Sequence, residues 1–196
     1  MIFYRIAWVI VRTYLFIFTR IKVEGRENIP QSGPVVFVGN HPSLWDPVYM
    51  AITTKRVVHY MAKEELFHKA GLKQLVTALG AFPVKRGKID RNSLRTAAKY
   101  LENGEVLGIF PEGTRSKNNQ MRPFLPGAAL FALRSGAPIV PFALKGTEKI
   151  FGGRIKIKIG KPLVYPEYYK GKIGEEILDR VTQDCRDVIR QMLCEA

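Results

Sequence analysis

Five short runs of β-branched and aromatic residues, each ending in polar or basic residues, constrain most strongly what this chain can fold into. They are Pro34–Gly39 (PVVFVG), Val57–Ala62 (VVHYMA), Ala81–Val84, Val106–Phe110 and Pro138–Leu144. Apolar runs this short, closed by turn-forming residues, read as buried strands. Between them lie segments with helical spacing: Asp46–Ile52, Leu66–Leu79, Arg91–Leu101 and Gly127–Ser135, with Asn92 and Ser93 as candidate starts of the third. Strands alternating with helices predict an α/β fold, a single domain with a mostly parallel central sheet flanked by helices. Arg154–Ile159 (RIKIKI) alternates strictly and is expected at a sheet edge, with one wet, basic face. Glu175–Leu193 closes the chain as an amphipathic helix with Ile177, Val181, Val188 and Met192 on one side. The 196 residues show no repeat or low-complexity linker and suffice for one core.

A parallel sheet brings the polar clusters that follow its strands to one edge, where open α/β sheets bind ligands. That edge would gather His41, Asp46, Lys63, Lys85, Arg86, Glu112, Thr114, Arg115 and Lys145. A base, a carboxylate and several cations then share one rim.

The formal charge of +14, from 31 Lys and Arg against 17 Asp and Glu, implies an anionic partner or substrate. A nucleic-acid module would interleave its basic residues with exposed aromatics. No such module is recognisable, which leaves anionic lipid and phosphorylated small molecules. Cys185 and Cys194 are nine residues apart in a helical segment, which separates them by roughly 13 Å of rise. That is too far for a bridge, and a reduced, cytosolic setting is expected. His41, His59 and His68 show no ligand spacing, so neither a metal nor a cofactor is expected.

Met1–Phe18 is dominated by large apolar residues, with Arg5 and Arg12 as its only charges. On a helical wheel Arg5, Arg12 and Thr19 fall within about 40° of one another, a narrow basic stripe beside a broad apolar face. The uninterrupted runs are too short to span a bilayer, and no small-residue cleavage pattern follows. Residues 1–22 are therefore expected to lie as an interfacial, membrane-associating amphipathic helix ahead of an α/β domain at 23–196. This places the protein at the cytoplasmic face of the cell membrane, peripheral or monotopic. The alternative is a helix packed on the protein's own core.

Two segments carry chemistry. In NHPSLWD, His41 precedes Asp46 by five residues, and Pro42 biases His41 toward an extended conformation and could start the helix that carries Asp46. A carboxylate on one ring nitrogen fixes the tautomer and leaves the other nitrogen as a base, with the ordinary imidazole pKa of about 6.5. This is the His and Asp part of a triad, whose third member can be the substrate's own hydroxyl. Ser43 is the nearest protein nucleophile but lacks a nucleophile-elbow pattern. In FPEGTRS (Phe110–Ser116), Gly113 permits a turn with backbone close to a ligand, Arg115 can fork onto phosphate, and Glu112 can accept from hydroxyls or hold that arginine.

Together these segments resemble the glycerolipid acyltransferases, and among them the short bacterial 1-acyl-glycerol-3-phosphate (lysophosphatidic acid) acyltransferases. NHPSLWD is similar to the family's first motif, FPVKRG (Phe82–Gly87) to its second, FPEGTRS to its third and VPFAL (Val140–Leu144) to its looser fourth. The resemblance covers roughly Val23–Leu163. It implies that His41 deprotonates the acceptor hydroxyl for direct attack on an acyl-CoA or acyl carrier protein thioester, while Asp46 holds the imidazole. It further implies that Lys85 or Arg86, with Arg115, grips an anionic lysophospholipid through its glycerol phosphate, and that Glu112, Gly113 and Thr114 shape that subsite. Lys63 would contact an oxyanion or phosphate, and Pro141 would shape the acyl-donor side.

Overall fold

A computed structural model of the chain describes residues 2–69, 71–85, 90–116, 120–148, 153–169 and 171–195. Its helices are α1 (Ile2–Phe18), α2 (Asp46–Ala51), α3 (Leu72–Ala78), α4 (Arg91–Glu102), α5 (Gly127–Ser135) and α6 (Glu175–Cys194). Its strands are β1 (Arg20–Glu24), β2 (Val35–Gly39), β3 (Val58–Lys63), β4 (Ala81–Val84), β5 (Val106–Ile109), β6 (Ile139–Lys145) and β7 (Arg154–Ile159).

The strands form one sheet in the order β1-β7-β6-β2-β5-β3-β4. Strands β6, β2, β5, β3 and β4 run parallel, β7 is antiparallel to β6, and β1 is parallel to β7. The α/β class and the mostly parallel sheet are as the strand and helix alternation required. Helices cover both faces, which is why β2 is an unbroken apolar run rather than an alternating one. Val35 and Phe37 pack with α1 and α2, whereas Val36 and Val38 pack with α4, α5 and α6. Each such fully buried side chain contributes about 1.5–3 kcal/mol by leaving water.

The strand RIKIKI is internal, not an edge. Residues 20–24 (RIKVE) have the same alternation and pair outside it, Ile21 opposite Ile155 and Val23 opposite Ile157. Alternation reports one dry and one wet face and is silent on how many neighbours a strand has. The boundary expected after residue 22 falls inside β1, so α1 is tied directly into the sheet.

Other differences are local. The helix expected over Leu66–Leu79 is divided: Glu64–Phe67 form a 3₁₀ turn, and α3 starts only after Gly71, at φ +78°, whose N–H donates to the Gln74 side chain at 2.8 Å. The start of α4 is capped by Asp90, which accepts from the amides of Asn92 at 3.0 Å and Ser93 at 3.3 Å. These bonds hold the Asp90 carboxyl below its ordinary pKa, with an amide bond from Lys85 contributing most. Helix α2 begins at Asp46 with Pro47 in its first turn, so Pro42 lies in the preceding loop. On α6 the buried stripe is Val181, Cys185, Ile189 and Met192 rather than one through Val188. Cys185 is buried and Cys194 exposed, and both are free.

One side of helix α1 packs on the protein's own core and the other is exposed. Tyr4 and Leu15 are buried, the Trp8 indole donates to the Ala51 carbonyl at 3.1 Å, and the Val58 amide donates to the Tyr4 hydroxyl at 3.3 Å. The Arg12 guanidinium lies 4.8 Å over the Trp8 ring. The outer surface exposes Ile2, Phe3, Ile6, Val9, Ile10, Tyr14, Phe16, Ile17 and Phe18. Among the described residues no helix is long and apolar enough to cross a membrane.

Candidate active site

The carboxyl ends of the five parallel strands share one rim, and β2 delivers His41 to it between β6 and β5. The loop holding His41 is fixed from both sides. Asn40 acts as one more residue of ladder: its side chain donates to the Leu144 carbonyl at 2.9 Å and accepts from the Leu144 amide at 2.8 Å. The His41 amide donates to Glu112 Oε1 at 2.8 Å, and the His41 carbonyl accepts from the Ser116 amide at 2.8 Å. Phe110 stacks on the imidazole at 4.3 Å between centroids and 20° between planes.

Asp46, fully buried at the first turn of α2, receives three donors. Oδ2 accepts from His41 Nδ1 and from the Ser43 amide, each at 2.7 Å, and Oδ1 accepts from the Thr147 hydroxyl at 2.5 Å. A carboxylate can only accept, so the imidazole proton resides on Nδ1 and Nε2 keeps its lone pair. The His41 side chain is 14% exposed. Ser43 Oγ accepts from the Trp45 amide at 3.2 Å, closing a turn rather than facing the imidazole.

The remaining sequence-derived residues fall into distinct places. Glu112 is buried, and its second oxygen accepts from the Arg122 amide at 3.0 Å. Both of its oxygens thus bond backbone amides, and it braces the loop instead of presenting itself to a ligand. Gly113, at φ +69°, makes the exposed turn that carries the exposed Thr114 and Arg115. Lys63 is exposed at the end of β3 and pairs with Glu65 at 2.9 Å, and Lys85, exposed beyond β4, lies 3.6 Å from Glu64. Arg86 lies outside the described residues. Pro141 is buried within β6, its carbonyl accepting from the Gly160 amide at 2.9 Å. Its ring is so close to Gly160 that a Cβ there would come within 2.7 Å of it. Among the described residues no group of three His, Cys, Asp or Glu could hold a metal.

An apolar groove of 260 Å³ opens between α1, α2, β3 and α3, lined by residues that include Tyr4, Trp8, Leu44, Val48, Tyr60 and Leu79. It joins the base through stacked rings, Tyr60 on Phe110 and Phe110 on His41. The room for the Tyr60 ring comes from Gly108 on the next strand, where a Cβ would lie 2.2 Å from it. Burial pushes the Tyr60 phenol well above its ordinary pKa, so it stays neutral. Sequence reasoning missed Asn40, Phe110 and Thr147. Asn40 and Phe110 are the first residues of NHPSLWD and FPEGTRS, but nothing local marks Thr147.

A buried carboxylate bonded to a histidine at the rim of an α/β sheet, with an apolar groove reached through two aromatic rings, is the arrangement on which the comparisons with known proteins bear. Residues 20–145 match the family model described as Acyltransferase, and the chain belongs to that family. Among its relatives, the 1-acyl-sn-glycerol-3-phosphate acyltransferase of Bacillus subtilis (strain 168) is 34% identical over 148 residues, 73% of each chain. The enzyme of the same name from Borreliella burgdorferi is 30% identical over 184 residues, 89% of this chain and 72% of that one. The crystal structure of the 1-acyl-sn-glycerophosphate (LPA) acyltransferase PlsC from Thermotoga maritima superposes with a TM-score of 0.73 at 27% identity, over 94% of this chain and 74% of that chain.

Proposed function

We propose that the protein transfers a fatty acyl group from an acyl thioester to the free sn-2 hydroxyl of lysophosphatidic acid, giving phosphatidic acid. The observation that carries this reading is the 2.7 Å contact of His41 Nδ1 with the buried Asp46, linked through the rings of Phe110 and Tyr60 to an apolar groove. The names of the relatives point to the same acceptor.

In the mechanism proposed, the acceptor oxygen attacks the thioester carbonyl carbon while its proton passes to His41 Nε2. Collapse of the tetrahedral adduct breaks the carbon–sulfur bond, and the departing thiolate takes the proton back from the imidazolium. The products are the ester and a free thiol, with no acyl-enzyme. Asp46 stabilises the imidazolium, and the Thr147 hydroxyl keeps the second carboxylate oxygen satisfied. Arg115, Arg86, Lys63 and Lys85 are assigned to the glycerol phosphate and the developing negative charge, with Gly113 and Thr114 letting the backbone approach. The groove receives an acyl chain, and acyl-CoA or acyl carrier protein supplies the thioester. The exposed apolar side of α1, with Leu44 and Trp45 exposed near the base, rests in the cytoplasmic surface of the membrane.

His41→Ala is the direct test. Acyl transfer to lysophosphatidic acid is expected to vanish, while the melting temperature and flotation with anionic vesicles stay as in the wild type. Normal transfer by His41→Ala would overturn the mechanism. Preferential acylation of glycerol-3-phosphate or of a lyso-lipid with another head group, in competition with lysophosphatidic acid, would overturn the acceptor. Loss of flotation is expected from Ile10→Glu with Phe16→Glu, both exposed on α1.

A further inference from the structure

At the β1 edge the sheet carries like charges in directly opposed positions. Lys145 of β6 lies opposite Lys156 of β7, which lies opposite Lys22 of β1, and the next row toward the rim sets Arg154 opposite Arg20. All five are exposed, and Lys22 pairs with Glu24 of its own strand at 2.6 Å, so that one carboxylate flanks the two rows on the side away from the rim. Opposed residues point to the same face, so these cations form one plane on the side of the sheet away from α1. Ile155, Ile157 and Ile159 occupy the other side, packed with Leu15. Like charges in directly opposed positions weaken a sheet, and a fold that keeps two such rows has a use for them.

The plane connects with the active-site rim. Lys145 also lines a cleft of 180 Å³ with Asn40, Pro42, Ser116, Gly146 and Leu193. Asn40 and Pro42 are the residues on either side of His41. With neighbouring strands about 4.8 Å apart, the lysine row is about 10 Å wide, beginning about 5 Å from β2 and ending about 14 Å from it.

We propose that this basic sheet face docks an acidic carrier protein bearing the acyl thioester, and that the cleft at Lys145 admits its arm to His41. The inference rests on the reading that His41 serves a thioester. Charge and shape select the occupant. A flat plane of cations in two rows matches carboxylates one helical turn apart on a partner helix, about 6 Å; a nucleotide would draw its cations to converge on a few phosphates. A bilayer receiving α1 lies against the opposite side of the sheet.

The test compares wild type with Lys22→Glu/Lys156→Glu, using palmitoyl thioesters of acyl carrier protein and of coenzyme A with lysophosphatidic acid as acceptor. Binding of unloaded acyl carrier protein is read separately by fluorescence anisotropy, and flotation with anionic vesicles is read alongside. The expected result is at least a tenfold rise in KM for the protein-borne donor and a parallel loss of anisotropy binding, with kcat, the coenzyme A kinetics and flotation unchanged. The substitution makes the contact with Lys145 a mixed pair but leaves two glutamates opposed, so Lys22→Gln/Lys156→Gln, which removes opposed charge without adding any, repeats the test with the melting temperature expected not to fall. Equal losses with both donors, unchanged kinetics with the protein-borne donor, or a wild type that does not bind the carrier protein would each overturn the proposal. Lost flotation with carrier binding intact would assign the face to the bilayer and overturn it as well. If the wild type transferred from neither donor, the proposed function would fail while anisotropy still decided the docking surface.

Discussion

Replacing Glu112 by Gln separates a brace from a ligand-binding residue. Its carboxylate accepts from the His41 amide at 2.8 Å and the Arg122 amide at 3.0 Å, and the side chain is buried. A glutamine of the same shape supplies one carbonyl oxygen for two amide donors, and its NH₂ group must face the other. The variant loses one charge-assisted bond and leaves a buried donor unpaired, together about 3 kcal/mol. For a domain of this size that lowers the melting temperature by about 6 to 12 °C. The His41 backbone is no longer held, so kcat for acyl transfer should fall while KM for lysophosphatidic acid stays within about twofold, below 0.5 kcal/mol. Differential scanning calorimetry and initial rates measure the two effects. An unchanged melting temperature with a raised KM would refute the reasoning and return Glu112 to the substrate.

Three further outcomes follow from the same geometry. Thr147→Val keeps the shape but leaves Asp46 Oδ1 without its donor; thermal melts should show a loss of about 1.5–3 kcal/mol, and initial rates a lower kcat at constant KM. Burial pushes the Cys185 thiol up to about 12, so at pH 8 the folded protein should react with a thiol reagent at Cys194 alone, and at both cysteines once unfolded; rapid labelling of Cys185 would contradict its burial. The Asp90 carboxyl is held below its unfolded value, so its stabilisation is complete above that value, about 3.9, and is lost as pH falls through the folded pKa. Asp90→Ala should therefore melt earlier than the wild type at pH 7, with the gap closing in strong acid.

Much of this was legible in the sequence because parallel strands buried on both faces read as uninterrupted apolar runs. Once PVVFVG, VLGIF and PIVPFAL are aligned as such strands, the residues after them must meet at one rim. The first strand was not legible, since RIKVE is short and follows a helix without a turn signal. Its pairing is decided by Ile21 and Val23 finding Ile155 and Ile157 across more than half the chain. The break at Gly71 was hidden because apolar periodicity continues through it, whereas its positive φ is a tertiary outcome. Within the site, the His and Asp pair is local and could be read. The partner of the other Asp46 oxygen lies 101 residues away, and the backbone amide that occupies Glu112 lies 71 away. Such contacts leave no trace in local spacing, and a buried glutamate in a motif looks the same whether it serves a ligand or a loop.

Asn40, His41, Asp46, Thr147 and Leu144 form a closed circuit: peptide bonds join 40 to 46 and 144 to 147, and side-chain hydrogen bonds join 46 to 147 and 40 to 144. A circuit of this kind is sensitive to contour length before it is sensitive to chemistry. One residue added between His41 and Asp46, or between Leu144 and Thr147, would leave every functional group present and yet prevent the ring from closing. In the descent of this fold, insertions at those two stretches should be the rarest events, rarer than conservative exchanges at the same positions. The spacing of the motif is itself the inherited character.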